Sequence, residues 1–111
     1  MMAPKLIPIL ALVAMAIPAQ AQILPSGGYL IGKIEEEKKR NGEDVLNLSF
    51  KNTGKKTLLV EWEIQGSETV AIPGGYTEVS PSNYWRVFDE RKYINNGGAI
   101  GTLKIIRFWE I

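Results

Sequence analysis

The stretch VLNLSFKNTGKKTLLVEWEIQ, residues 45–65, decides the fold. From Val45 to Lys51 apolar and polar side chains alternate. Leu46, Leu48 and Phe50 fall on one face, and Asn47, Ser49 and Lys51 on the other. Thr57 to Gln65 repeats the pattern, with Leu58, Val60, Trp62 and Ile64 on one face and Glu61 and Glu63 opposite. A period of two with one apolar face marks a half-buried antiparallel strand. Between the two runs lies Asn52-Thr53-Gly54-Lys55-Lys56, a polar loop whose glycine suits a left-handed turn.

Working outward, further strands are predicted over Tyr29–Glu35, Thr69–Ile72, Tyr76–Ser80, Tyr84–Ile94 and Ile100–Glu110. Asn95-Asn96-Gly97-Gly98 separates the last two. Asn-Gly is a strong hairpin signal, because a type I′ turn needs positive φ at both central residues. Ile34–Asp44 pairs acids with bases at i,i+3 and i,i+4, which would suit one or two helical turns, while Asn41-Gly42 could equally cap a charged hairpin tip; it reads as a solvated strand-to-strand loop. At Gly66-Ser67 a two-residue hairpin would turn Val70 and Ile72 away from the core. Either a bulge sits at Gly66 or the chain crosses there to a facing sheet. About seven short strands with turns between them predict an all-β fold, a single small antiparallel β-sandwich.

Met1–Ala21 is set apart from this domain. MMAPKLIPILALVAMAIPAQA has a basic start at Lys5, an apolar run from Leu6 to Ile17, a break at Pro18 and a small-x-small site at Ala19-Gln20-Ala21. These are the parts of a cleavable signal peptide. The run is shorter than the roughly 20 residues a spanning helix needs, although retention as an anchor is the alternative. The domains are therefore 1–21, a leader, and 22–111, the sandwich, with a periplasmic or secreted address. Stable membrane insertion after cleavage is not expected.

The chain carries thirteen basic and twelve acidic side chains, and losing Lys5 with the leader leaves the two in balance. A neutral domain has no field to gather nucleic acid or an anionic membrane. There is no histidine and no cysteine, so the commonest general base, the thiolate nucleophile and the usual soft-metal ligands are missing. No cofactor or metal is expected. Without disulfides, a domain of about ninety residues must hold itself by its core.

The strings LNLSFKNTGKKTLLVEWEIQG and VAIPGG, over Leu46–Gly75, resemble bacterial immunoglobulin-like modules. In such modules a strand, an Asn-Thr-Gly turn, a strand and a Pro-Gly turn follow in that order. Trp62 falls where these sandwiches bury a tryptophan, and Tyr84 resembles the tyrosine that opens a late strand. The resemblance implies an immunoglobulin-like fold and a binding or scaffolding habit. It carries over no catalytic residues.

If Asn96-Gly97 closes a hairpin, Tyr84 pairs with Trp109 and Arg86 with Arg107. Trp85, Val87, Ile106 and Phe108 then form the core-facing side. Tyr84, Arg86, Arg107 and Trp109 are left outward as a candidate partner-binding face, since tryptophan, tyrosine and arginine dominate interface energetics. Ordinary cross-strand stabilisation would account for the same four residues. Enzyme chemistry is not expected. Asp89 and Glu90 are adjacent and point to opposite faces, and no serine sits in a catalytic motif. The function expected is a non-enzymatic module that contacts another macromolecule, protein first and polysaccharide second. The alternatives are an assembly chaperone or peptidase inhibitor that works by strand addition or loop insertion, or a small carbohydrate-binding module.

Overall fold

The computed structural model describes residues 20–69 and 74–111. Met1 to Ala19, most of the expected leader, and Val70 to Pro73, most of the strand expected over Thr69–Ile72, lie outside the described residues. The described residues form seven strands and no helix. These are β1 (Gln22–Ile23), β2 (Tyr29–Lys38), β3 (Asp44–Asn52), β4 (Leu58–Gln65), β5 (Gly75–Val79), β6 (Arg86–Lys92) and β7 (Thr102–Glu110). They make two antiparallel sheets, ordered β1-β2-β3-β6 and β5-β4-β7.

The alternation read over 45–65 sets the core. Leu46, Leu48 and Phe50 of β3 and Leu58, Val60 and Trp62 of β4 are all buried, together with Leu30, Val79 and Leu103. The Phe88 ring stacks on Phe50 at 4.7 Å and meets Trp62 edge-on at 5.2 Å, joining the two layers.

Between Ile34 and Asp44 the strand alternative holds. β2 runs to Lys38 and pairs with β3 without interruption from Leu30↔Asn52 to Lys38↔Asp44. The charged tip is a tight turn in which Lys39 N donates to Glu43 O at 2.8 Å and Gly42 takes φ +88°. Cross-strand hydrogen bonding outweighs the helical charge spacing because Leu46 and Val45 on the partner strand are buried. Tyr93 closes this end, its hydroxyl donating to Glu36 Oε1 at 2.7 Å.

The expected hairpin between the last two strands does not form. β6 pairs with β3 in the first sheet, whereas β7 pairs with β4 in the second. The Asn96-Gly97 turn exists locally, with Gly97 at φ +84° and Gly98 N donating to Asn96 Oδ1. The chain around it is held from both sides instead. Tyr93 N donates to Asp44 O of β3, and Ala99 exchanges hydrogen bonds with Glu68, just beyond β4. Each strand also carries a bulge. Phe88 is the extra residue opposite Leu48/Ser49, and Ile106 is the extra residue opposite Glu61/Trp62. The bulges explain the doubled apolar pairs Val87-Phe88 and Ile105-Ile106, where one member faces the core and the other is exposed. The expected core side therefore breaks up: Trp85, Val87 and Ile106 are exposed, and Phe108 alone packs on the core.

Gly54 is not left-handed. A Cβ there would lie 2.6 Å from Leu24 Cδ1 and 3.2 Å from Gly27 O, so close approach is what requires glycine. Beside it, Asn52 is fully buried. Its Nδ2 donates to Lys56 O and Val79 O, both at 2.9 Å, and its Oδ1 accepts from Gly54 N. After Gly66 the next described strand, β5, returns to the same sheet as β4, with Trp62 opposite Gly75. The crossings between sheets lie at residues 53–57, 80–85 and 93–101.

Asn52→Ala takes the partner from the buried carbonyl of Val79 and from the part-buried Lys56 carbonyl and Gly54 N–H. The expected loss is about 3 kcal/mol, a fall in Tm of roughly 10–20 °C for a domain of this size. Thermal melts followed by circular dichroism check this, with the exposed-contact variant Asn47→Ala changing stability by about 0.5 kcal/mol or less. The hydrogen bond to Glu36 holds the Tyr93 hydroxyl up to about 12, above the ordinary 10.0. Because the folded value is the higher, this contribution is present below the unfolded value and is lost as pH rises through the folded one. Tyrosinate absorbance of Tyr93 is expected at about 12, and Glu36→Ala should return it toward 10.0.

Candidate binding face

The outer face of the β5-β4-β7 sheet carries the most concentrated set of exposed aromatic and charged side chains tied to one another. Antiparallel register places Tyr76, Glu61 and Arg107 in one row across the three strands. Glu78, Leu59 and Trp109 form the next row. Glu61 and Leu59 belong to the outward half of the alternation in β4, so the pattern that buries Trp62 also exposes them. On β7 the bulge at Ile106 resets the phase, turning Phe108 inward and Arg107 and Trp109 outward.

The side chains in these rows touch. Arg107 Nε donates to Glu61 Oε1, and its guanidinium lies 5.6 Å from the Trp109 ring. The Tyr76 and Trp109 rings, on the two outer strands, approach to 6.4 Å at 24° across the central strand. Hydrogen bonding to the Glu61 carboxylate, and then its charge, hold the Arg107 pKa above its ordinary value, so the group is a permanent cation. Exposed ion pairs of this kind add little to stability. Their effect is to fix where the guanidinium sits beside the rings. Trp109 remains 42% exposed and Tyr76 60%. The surface offers two rings, a cation and an apolar floor at Leu59. It offers no nucleophile with an adjacent base.

The four sequence-predicted residues divide. Arg107 and Trp109 are together on this face. Tyr84 lies in the 80–85 crossing, 77% exposed, its N–H donating to Ser82 Oγ. Arg86 opens β6 in the other sheet and, with Glu78, Val79, Ser80, Phe50 and Phe88, lines a hollow of about 110 Å³. The Arg86–Arg107 pairing expected of a closing hairpin does not occur, because the two strands belong to different sheets. Tyr76 and Glu61 were missed as site residues. Glu61 was already readable as outward, but the register of Tyr76 depends on β5 pairing back onto β4, which no local signal in residues 66–75 reveals.

Elsewhere the two acidic residues weighed in the sequence, Asp89 and Glu90, are each paired with a base. Asp89 accepts from Arg91 Nε at 2.9 Å, and Glu90 lies 2.8 Å from Lys39, whose pKa this hydrogen bond raises. Among the described residues no group of three or more acidic side chains is arranged to hold a metal ion. Trp85, expected in the core, lies at the surface with Lys33 Nζ 4.2 Å from its ring. A scan against protein-family models finds no match, and neither does a search of curated proteins or of solved structures.

Trp62 and Trp109 give an internal contrast. Trp62 is 7% exposed and spans the core. Trp62→Ala should cost about 3–5 kcal/mol, and Trp109→Ala at most about 1.5 kcal/mol. Equal losses in urea unfolding would mean that Trp109 is structural.

Proposed function

We propose that this protein is an exported, immunoglobulin-like β-sandwich that acts without catalysis, as a binding or scaffolding module. Its partner is another protein in the periplasm or at the cell surface, met through Trp109, Tyr76 and Arg107. The observation that carries this reading is the exposed Tyr76–Trp109 pair with Arg107 held beside it by Glu61. Exposed rings beside a fixed cation form the kind of cluster that supplies most of the affinity at protein interfaces. The leader features of Met1–Ala21 support export. The four-plus-three arrangement of strands and a buried tryptophan on the strand after the first crossing support the immunoglobulin-like assignment.

Docking through this face is favoured over strand addition at the edges of the second sheet and at β6. β6 and β7 are both bulged and carry charged residues, and β5 has five residues. Bulges, charges and shortness are what blunt a sheet edge against pairing.

The test is capture from a periplasmic extract by the exported form and by the double variant Tyr76→Ser/Trp109→Ser. The expected result is one protein retained in stoichiometric amount by the native chain and lost, by tenfold or more in affinity, in the variant, with the melt little changed. Equal capture by both proteins sinks the assignment of this face. Retention of polysaccharide alone makes the protein a sugar-binding module instead.

A further inference from the structure

One sheet edge is left unguarded. β1 is two residues long and pairs with β2 only at Gln22↔Leu30 and Ile23↔Tyr29. Beyond Leu30 the outer edge of β2 has no strand partner among the described residues. β2 carries no bulge, its ladder with β3 being continuous, and it is twice the length of β5, the other unbulged edge strand. Its far half is blunted by Glu35, Glu36, Glu37 and Lys38, which leaves Ile31–Ile34 open.

The direction of the free main-chain groups follows from the ladder. Tyr29 O accepts from Thr53 N, and Lys39 N donates to Glu43 O, so odd-numbered residues bond toward β3. Even-numbered ones point the other way: Leu30 toward β1, Gly32 and Ile34 toward the open side. Beside this edge, where β2 faces β7, lie two adjoining hollows of about 220 and 340 Å³. Leu103, Ile105 and Ile34 supply an apolar floor, and Lys33 and Lys104 the charged rim, with no acidic residue lining either hollow. Lys33 is paired with Glu35, whereas Lys104 has no ion pair among the described residues.

Gln20 lines both hollows. In the register set by Gln22↔Leu30, position 20 falls opposite Gly32. In a chain that begins at Gln22 this place is vacated. We propose that the open stretch of β2 from Ile31 to Ile34 accepts an extended protein segment as a continuation of β1. One apolar side chain of that segment enters the hollow opposite Gly32, and acidic flanks meet Lys104. A peptide is the occupant that fits, because the free N–H and C=O groups of Gly32 and Ile34 alternate at the spacing of another main chain. The inference rests on removal of the leader and not on the Trp109 face.

The test uses residues 22–111, which contain all seven strands, and the peptide acetyl-Glu-Val-Thr-Val-Thr-Glu-amide. Amide hydrogen exchange is followed by NMR. At saturating peptide, Gly32 and Ile34 should exchange at least about tenfold more slowly, while Ile31 and Lys33, already bonded to β3, are unchanged. The same peptide N-methylated at alternate residues should have no effect. Thr102→Trp, which fills the mouth from an exposed position, should abolish the protection with little change in Tm. Absence of protection, protection along β6 or β7, survival of the effect in Thr102→Trp, or equal slowing by the N-methylated peptide overturns the proposal. Because the chain is made directly from Gln22, these outcomes are independent of whether export occurs and of the Trp109 partner.

Discussion

The side-chain amide of Asn52 holds together parts of the chain that no sheet ladder joins. It sits at the last rung of β3, donates to the main chain just before β4 and at the end of β5, and accepts from Gly54. Its own carbonyl receives Ser82 N from the next crossing. Thr53 extends the tie to the start of β2, where Tyr29 N donates to its hydroxyl at 2.8 Å. A buried amide is expensive unless satisfied, and once satisfied it is directional. A cysteine-free domain this small gains from that direction what a disulfide would otherwise supply: a fixed relation between the two layers where the chain passes from one to the other.

From that fixed end, the two bulges decide what the surface becomes. Phe88 turns into the core and binds the layers through Phe50 and Trp62. Ile106 resets β7 so that Phe108 packs inward while Arg107 and Trp109 emerge beside Tyr76. Bulging also bends the edges it occupies and spoils them for pairing. One device thus assembles the aromatic face and closes two edges, leaving short β5 and the open run of β2 without a bulge.

How much of this was legible varied with how local the signal was. Leu46, Leu48, Phe50, Leu58, Val60 and Trp62 were readable because each strand buries a single face. Ile34–Asp44 was ambiguous, because its charges sit equally well at helical and at hairpin spacing and the burial that decides lies on Val45 and Leu46. The β6–β7 pairing was misread because Asn96-Gly97 is a true turn signal whose consequence depends on what holds the chain on either side. Of the candidate face, Trp109 and Arg107 were named by residue type within a hairpin pairing that does not form. Tyr76 could not, since its row is set by a pairing of β5 back onto β4 across nine intervening residues.

By itself, the sequence determined that this is an all-β domain, where most of its strands run, and which side of β3 and β4 faces inward. Those properties follow from period-two burial and from turn chemistry, which act within a few residues. Tertiary structure alone decided which sheet receives β6 and which receives β7, where the extra residue of each is placed, and which distant side chains meet at the surface. Each strand can pair with several others at similar local energy. The choice is made by which arrangement fills one core and satisfies Asn52 at the same time.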